Sequence, residues 1–508
     1  MNSWLSEKKQ EEGQEVEIPE AVDINTLNPQ QRAVFTHYVE KYRKILEEQP
    51  LEQQFINIDG TAGCGETYLI RAICQELRRM ADEHGAGDPI RVLAPSGVAA
   101  LNIHGRTVHS SLGLPINTGF VALRGGRLAS FQELWQGVSF VIIDEKSMLG
   151  LRALAQIDAR LRQIVPSDSR FGGLNVALCG DFAQLPPVGD SPMYGEPSKE
   201  VTPLGTLSRE GKILYNLFIK SFELVVVVRQ QGDSQEQKQF RELLCRASCE
   251  GGLSMADWQL LQTRDKGQLS GQEMVAFNNA PCVYTTRDAV TMHNLQELAA
   301  LQVPCAKIVA KHDGGAEAAQ APSDHAGGLE ASVILGKGAR VIISRNIWQE
   351  QGFVNATTGV VEDVVWEEGA ERSDLPLAVL VSCPTYNGPT LWRTEPRPGF
   401  PDGVPIVPIA PLKTTWQTHS KTCSRTQLPL RLAWAVTVHK SQGLTIPKMR
   451  LALGRRECSS GLTFVALSRV KELKDLIFIE TLDYSRVKKL GGKQLQLRRQ
   501  DRARRYQD

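Results

Sequence analysis

The segment Gly60-Thr-Ala-Gly-Cys-Gly-Glu-Thr67 has residue types and spacing suited to holding phosphate. Glycines at 60, 63 and 65 let backbone N–H groups come close to anionic oxygens, with Thr61, Ala62 and Cys64 completing the loop. A helix starting behind the loop adds a favourable dipole. The Thr67 hydroxyl stands where a Mg²⁺ ligand belongs. One residue breaks the pattern. A phosphate loop reads G-x-x-x-x-G-K-[ST], and position 66 carries glutamate in place of lysine. Lysine would touch the β- and γ-phosphates and neutralise charge that develops during transfer. Glu66 has the opposite sign. Two unit charges at ~4 Å interact by about 4 kcal/mol at an effective dielectric of ~20. A penalty of that order corresponds to roughly 10³-fold in rate or affinity. The chain as written is expected to hydrolyse a nucleoside triphosphate poorly or not at all.

Two acids end an apolar run in Val141-Ile-Ile-Asp-Glu-Lys-Ser-Met148. At a strand end, Asp144 can reach Mg²⁺ through water, and Glu145 can position and deprotonate an attacking water. Alone, such a pair is a common exposed turn; behind a phosphate loop in the same sheet it becomes a catalytic pair. Cys179-Gly-Asp-Phe-Ala-Gln-Leu-Pro-Pro-Val188 follows another apolar run. Gln184 is a candidate sensor of the γ-phosphate. Asp181 is a candidate to hold that phosphate or a neighbouring loop, and the double proline stiffens the turn.

These residues need a sheet to position them. Residues 54–59 read as the strand before the loop and 67–84 as the helix after it. Strand signals recur at 90–94, 140–143 and 176–179, separated by helical stretches. That alternation predicts a parallel sheet covered on both faces. Asn28 and Pro29 mark the cap and first residue of a helix within 25–49. A second α/β block is expected from residue 222, opened by a buried strand at 224–228 and continued through 282–285. Residues 301–426 differ, with Gly/Ala/Pro-rich stretches between short β runs at 340–344, 359–365 and 377–382. They read as a small β domain inserted in the second block. Helix and strand resume at 430–438 and 473–479. The basic end, 486–505, is expected to be a solvated helix, or else a nuclear-import or DNA-anchoring segment.

Composition sets outer limits. A chain of 508 residues allows about three domains. Its 42% hydrophobic and 23% charged residues exclude disorder throughout. Lys+Arg 58 against Asp+Glu 57 leave a formal charge of +1, so nucleic acid would need a local basic channel. No apolar run is long enough to span a bilayer, and no membrane partner is expected. The start is polar and acidic, unlike a signal peptide or presequence, and 1–24 are expected to be a disordered leader. The 10 cysteines are scattered without paired CxxC motifs, which predicts free buried thiols and no zinc site. Cys64, inside the phosphate loop, is a candidate oxidation site.

In their order along the chain, these stretches resemble superfamily-one DNA helicases of the Pif type, sister to the RecD helicases. The resemblance runs from residue 27 to 482. Leu27-Asn-Pro-Gln-Gln-Arg-Ala33 resembles an adenine-recognising motif, which implies Gln31 as the adenine contact. Ala94-Pro-Ser-Gly-Val-Ala-Ala-Leu-Asn-Ile-His-Gly-Arg-Thr-Val-His-Ser110 resembles the DNA-contacting motif. It implies Ser96, Gly97, Asn102, Thr107 and His109 as DNA-binding residues. The Asp144-Glu145 and Gly180-Asp-Phe-Ala-Gln184 motifs come next. The segment 224–230 implies that Arg229 reaches the γ-phosphate, and Phe464-Val-Ala-Leu-Ser-Arg-Val470 makes Arg469 a second arginine finger. Thr285-Thr-Arg-Asp-Ala-Val290 and 336–359 also fit. Trp434-Ala-Val-Thr-Val-His-Lys-Ser-Gln-Gly443 implies His439, Lys440 and Ser441 on DNA phosphates and Gly443 at the nucleotide.

The resemblance implies an α/β fold with two RecA-like domains, 25–220 and 221–300 plus 427–485. An SH3-like domain at 301–426, a wedge near 112–136 and a basic tail at 486–508 would complete it. ATP and Mg²⁺ would lie in the cleft, with translocation 5′ to 3′ on single-stranded DNA or DNA with a 5′ overhang. Arginines reaching across a cleft would make hydrolysis depend on closure. Grips on phosphate would carry no base information. The alternative is an inactive pseudo-helicase that binds single-stranded DNA without turnover. The retained Thr67, Asp144, Glu145, Gln184, Arg229 and Arg469 favour an intact scaffold with one lesion. An unrelated phosphate-loop kinase is disfavoured by the later motifs. The basic tail leans towards a nuclear location. Telomeres, G-quadruplexes, recombination, repair and mobile-element replication stay open as pathways.

Overall fold

The computed structural model describes residues 22–114, 119–249, 251–323, 326–348, 351–355, 357–371, 373–417, 422–490 and 492–506. They form two compact units, a larger one of 22–285 with 441–506 and a smaller one of 286–440.

The larger unit opens with α1 (Pro29–Leu46). The Asn28 side chain accepts from the Gln31 N–H at 3.0 Å, and Gln31 Oε1 accepts from the Asn28 N–H at 3.1 Å. This reciprocal box satisfies two N–H groups that a helix start otherwise leaves unpaired, and Pro29 has none to lose. Strands and helices then alternate: β1 (Phe55–Gly60), α2 (Glu66–Glu83), β2 (Ile90–Ala94), α3 (Gly97–Asn102), β3 (Arg106–Thr107), α4 (Val108–Leu112), β4 (Phe140–Ile143), α5 (Leu151–Ile164), β5 (Asn175–Gly180), α6 (Pro203–Tyr215) and β6 (Lys220–Leu224). Every pairing is parallel, in the order β3-β2-β4-β5-β1-β6. One core packs Ile58 with Leu69, Ile73 and Leu77 of α2, and another packs Val141 and Leu178 with Leu154 of α5 and Leu214 of α6. Helices therefore cover both faces, as the apolar runs require. The C-terminal ends of adjacent parallel strands share one edge, so the loops after β1, β4 and β5 gather there.

The rest of the larger unit is smaller. After α7 (Gln235–Cys249) come β7 (Cys282–Tyr284), β8 (Met449–Ala452), α8 (Leu462–Leu467) and β9 (Leu476–Phe478). β8 pairs in parallel with β7 and with β9. α7 packs on α8, and the chain ends in α9 (Gly492–Arg505). No helix among the described residues is long and apolar enough to cross a membrane.

The smaller unit is mainly antiparallel. Trp392–Arg393, Pro405–Ile409, Ala378–Ser382, Thr358–Val365, Arg340–Ile343 and Leu430–Leu432 form its main sheet in that order. Val341, Phe353, Val379 and Val407 lie in its core. The helix Arg287–Ala300 groups with it, so the compact unit is wider than the β domain expected at 301–426.

Several expectations are corrected. The buried strand expected at 224–228 is absent. The strand is Lys220–Leu224, the edge of the first sheet, and Val225, Val226 and Val228 are exposed. β-branched runs favour extended backbone without choosing its partner; here the Val225 and Val226 N–H groups donate to Gln30 Oε1 at 2.9 and 3.3 Å. The basic tail is a helix solvated on one side only: Lys493, Arg499 and Arg502 of α9 are exposed, whereas Asp501 and Arg505 are buried. Cys245, Cys249, Cys305 and Cys458 are exposed, so the expectation of buried thiols fails for these four. The expected wedge contains the helix Gly125–Leu134, with 115–118 outside the described residues. The leader lies outside them up to residue 21; the Val22 N–H already bonds Gln75 Oε1 at 2.8 Å.

Replacing Asn28 with alanine is expected to cost the larger unit about 1 kcal/mol, since it removes the capping box. A lowered urea midpoint for that unit's transition checks it; an unchanged midpoint would mean that the box contributes nothing.

Candidate nucleotide site

β1 feeds a loop that turns back through left-handed backbone at Gly63 (φ +85°) and Gly65 (φ +83°). A Cβ on Gly63 would come within 2.7 Å of Arg229 Cβ, and one on Gly65 within 2.7 Å of Gln31 Nε2. Conformation and close approach thus both require glycine. The loop is held from three sides. The Thr61 N–H donates to Leu224 O at 3.0 Å, and the Val228 and Arg229 N–H groups donate to Gly63 O at 2.7 and 3.0 Å. Gln31 Nε2 donates to Cys64 O at 3.1 Å and Gly65 O at 3.3 Å. Gln31, expected at an adenine, here joins the cap of α1 to the loop.

Glu66 opens α2, and its side chain folds back beneath the loop. Cys179 Sγ donates to Glu66 Oε1 at 3.4 Å, and a Cβ on Gly60 would lie 2.5 Å from the carboxyl carbon. The carboxyl therefore fills the interior of the loop. Burial pushes it well above the usual carboxylate range, and Asp144 and Glu145 push the same way against Lys146. Asp144 is also raised by burial and by Glu145, while its Oδ1 accepts from the Glu145 N–H at 2.8 Å. Burial raises Asp181 to about 6, although the Ala183 N–H bonds its carboxylate. Asp181 thus shapes its own turn. Thr67 and Asp144 are hard oxygen donors among crowded acids, a set that fits Mg²⁺. The loop interior fits a phosphate only if Glu66 leaves it. Cys64 is buried, and burial followed by Glu66 drives its thiol far up, so the expected oxidation site lacks its thiolate.

Glu145 is a non-glycine residue in left-handed backbone (φ +52°). Its Oε2 accepts from Gln442 Nε2 at 2.9 Å, and the same amide donates to Ser147 Oγ at 3.2 Å. Asn102 Nδ2 donates to Gly443 O at 3.3 Å. Arg229 donates to Ser468 O at 3.3 Å; burial lowers its pKa, opposed by Glu145, Cys64 and Glu66. Arg469 is wholly buried, tied to its own segment through Val465 O at 2.8 Å and Ser468 Oγ at 2.8 Å and to the earlier stretch through Leu444 O at 3.3 Å and Ser441 O at 3.4 Å. Burial and then the Arg229 charge lower Arg469 to about 9. Gln184 is buried, and its Oε1 has no partner among the described residues.

Sequence reasoning missed three residues here. Gln442 stood inside a quoted motif. Gln230, which ends the 224–230 segment, is buried and donates to Val470 O at 3.0 Å and Ser468 O at 3.4 Å. Lys146, next to the acid pair, is wholly buried and donates to Ile58 O at 3.1 Å and to Asp59. Period and motif spacing give no sign of where such a lysine turns.

The expected DNA contacts are spread more widely. Ser96 Oγ accepts from the Ala99 N–H at 3.3 Å at the start of α3, whose first residue is Gly97. Thr107 caps α4 through the Ser110 N–H at 3.3 Å. Burial lowers the pKa of His109, which favours the neutral ring. In the smaller unit, burial and then Arg287 lower His439, and Lys440 is exposed. Ser441, in the larger unit, is buried.

The raised acids give a pH dependence with a definite sign. In the folded chain Glu66, Asp144 and Asp181 keep protons that an unfolded chain releases above about pH 4. Stability therefore falls as pH rises through the window from there to each folded value, which for Asp181 is about 6. Each retained proton contributes up to about 1.4 kcal/mol per pH unit. Melting of the nucleotide-free protein without Mg²⁺, from about pH 5 to about pH 8, is expected to fall less steeply for Glu66→Gln than for the parent. Parallel slopes would show that Glu66 ionises freely.

Comparison with known proteins bears on this arrangement. Residues 26–248 match the PIF1-like helicase family. The chain is 29% identical over 434 residues to the human ATP-dependent DNA helicase PIF1, covering 84% of this chain and 58% of that protein. It is 28% identical over 426 residues to the Xenopus laevis ATP-dependent DNA helicase PIF1, covering 82% and 57%. The chain thus spans less than two thirds of the length of these relatives. The crystal structure of Pif1 helicase from Candida albicans superposes with a TM-score of 0.66 at 22% identity, covering 94% of this chain and 99% of that one. Pif1 helicase from Bacteroides in complex with ADP-AlF3 and ssDNA gives 0.64 at 22%, covering 91% and 96%. The fold is α/β with two RecA-like domains, and in sequence the chain is similar to PIF1-like helicases over residues 26–248.

Proposed function

We propose that the chain is a Pif-type DNA helicase scaffold. It translocates 5′ to 3′ on single-stranded DNA and hydrolyses ATP between its two RecA-like domains, with its own turnover impaired by Glu66. One observation carries this reading. Gln442 bonds Glu145 at 2.9 Å across 297 residues of sequence, bringing a late motif onto the proposed catalytic carboxylate. The names of the relatives, ATP-dependent DNA helicases, support it.

In this reading Thr67 and Asp144 hold Mg²⁺, which would neutralise phosphate charge when bound. Backbone N–H groups of 63–67 face the phosphates. Glu145 accepts the proton of the attacking water, and the unpartnered Oε1 of Gln184 orients that water. Arg229 and Arg469 carry charges that burial disfavours, so a polyanion beside them is a favourable partner. Ser96, Gly97, Asn102, Thr107, His109 and Ser441 of the larger unit bind DNA phosphate without reading bases, and His439 and Lys440 of the smaller unit do the same. Domain bounds follow the sequence reading, except that the second RecA-like domain starts after Leu224. A nuclear location is drawn from the basic tail, whose Lys488, Lys489 and Lys493 are exposed while Arg502 and Arg505 are paired with Glu223 and Asp59. A second reading, a single-stranded-DNA-binding module without turnover, is favoured by the Glu66 carboxyl inside the loop.

ATP hydrolysis with and without single-stranded DNA, on this chain and on Glu66→Lys, decides between them. DNA-stimulated turnover at least about 10³-fold higher in Glu66→Lys is expected. No turnover in either form would sink the helicase reading and leave the binding module. Brisk turnover by the chain as written would remove the impairment.

A further inference from the structure

Asp59, the residue before the phosphate loop, is held by three donors. Lys146 and Arg505 pair with its two oxygens, and Tyr506 Oη donates to Oδ2 at 2.8 Å. Burial pushes this carboxyl up, but Lys146 and Arg505 outweigh it and hold it well below the usual range. Arg505 Nε also donates to Asp501 Oδ2 at 2.9 Å, and Asp501 accepts from Tyr215 Oη at 2.8 Å. Two residues at the end of α9 thus fix the last side chain of β1 before the loop turns.

The remainder of α9 reaches elsewhere. Arg498 donates to Phe182 O at 3.1 Å, in the loop after β5, and to Ser248 O at 3.4 Å. Arg499 donates to Cys249 O at 2.8 Å. Ser248 and Cys249 end α7, which packs on α8 beside the second sheet. A cavity of about 730 Å³, lined by Thr61, Ala62, Phe182, Leu244 and Arg498 among others, lies between loop, α7 and α9. It leaves room for these parts to shift. One helix therefore bonds the base of the phosphate loop and an element of the second lobe.

We propose that Arg505 and Tyr506 are positioning residues of the nucleotide site. Through Asp59 they set the phosphate loop, and α9 transmits to that loop where α7 stands. This rests on the helicase reading, in which the two lobes close on ATP. Guanidinium geometry is central, because Arg505 spans two carboxylates that a lysine ammonium cannot serve with the same fork.

The test uses the full chain in the Glu66→Lys background, adding Arg505→Met, Arg505→Lys, Tyr506→Phe and, as a control on exposed α9 surface, Lys493→Gln. ATP turnover is measured with single-stranded DNA. Arg505→Met is expected to raise KM for ATP about tenfold with a smaller change in kcat, Arg505→Lys to recover part of it, and Lys493→Gln to change nothing. Should Arg505→Met not fold, Tyr506→Phe, which loses one hydroxyl, carries the test with a KM increase of about threefold. Amide exchange of residues 60–67 needs no nucleotide and is expected to quicken in Tyr506→Phe of the chain as written. Unchanged KM with unchanged exchange at 60–67 would overturn the proposal. Absence of turnover in Glu66→Lys itself would fail the helicase reading instead, and the exchange measurement would still judge Arg505 and Tyr506.

Discussion

Four carboxyl groups, Glu66, Asp144, Glu145 and Asp181, crowd the C-terminal edge of one parallel sheet, near enough for Glu66 to feel the other three. Unbalanced, such a cluster would drive its strands apart. Two things keep it together. Three of the acids sit above their usual pKa, so the empty site carries less charge than its composition suggests. Cations stand around the cluster: buried Lys146 and Arg469 and half-buried Arg229. Arg469 is itself lowered by Arg229, so acids and cations are each mutually repelled and mutually offset.

Asp59 shows how that balance reaches beyond the site. Burial pushes its carboxyl up, but Lys146 and Arg505 both engage it and hold it well below the usual carboxylate range. Breaking a buried pair leaves a charge without compensation, which costs more than the pair ever contributed. Lys146 is therefore held at Asp59, and Asp59 in turn holds the end of β1. The C-terminal helix, with few apolar side chains, is retained by arginines that end on carboxylates and carbonyls. Part of its basic character is thus used within the fold, while Lys493 stays exposed.

Local patterns were the legible part of the sequence. The alternation at 90–94 and 140–143 matched β2 and β4, and Asn28-Pro29 marked its cap, because period, glycine and capping chemistry act over a few residues. The order of the motifs located the loop and the acid pair. What was not legible depends on long-range choice. The valine run at 224–228 wanted extended backbone, but Leu224 closed the first sheet and Gln30 took the next two N–H groups. A run of arginines reads alike whether it meets solvent or Asp59 and Glu223. Gln442, Gln230 and Lys146 matter through partners far away in sequence, which no spacing encodes.

The structure also changes how Glu66 would bear on a bound phosphate. The charge argument from sequence assumed an ionised carboxylate facing phosphate. In the loop interior the carboxyl is buried, accepts from the Cys179 thiol and favours its proton, and an arriving polyanion would hold that proton more tightly still. Repulsion between full charges is then largely avoided. Two costs remain. The lost attraction of a lysine is worth about 4 kcal/mol at ~4 Å and an effective dielectric of ~20. The carboxyl must also leave a space that only the missing Cβ of Gly60 makes available. Both would arise only with a phosphate in the loop. The fold thus carries glutamate at this position with its carboxyl packed beneath the loop, against Cys179 and the open side of Gly60.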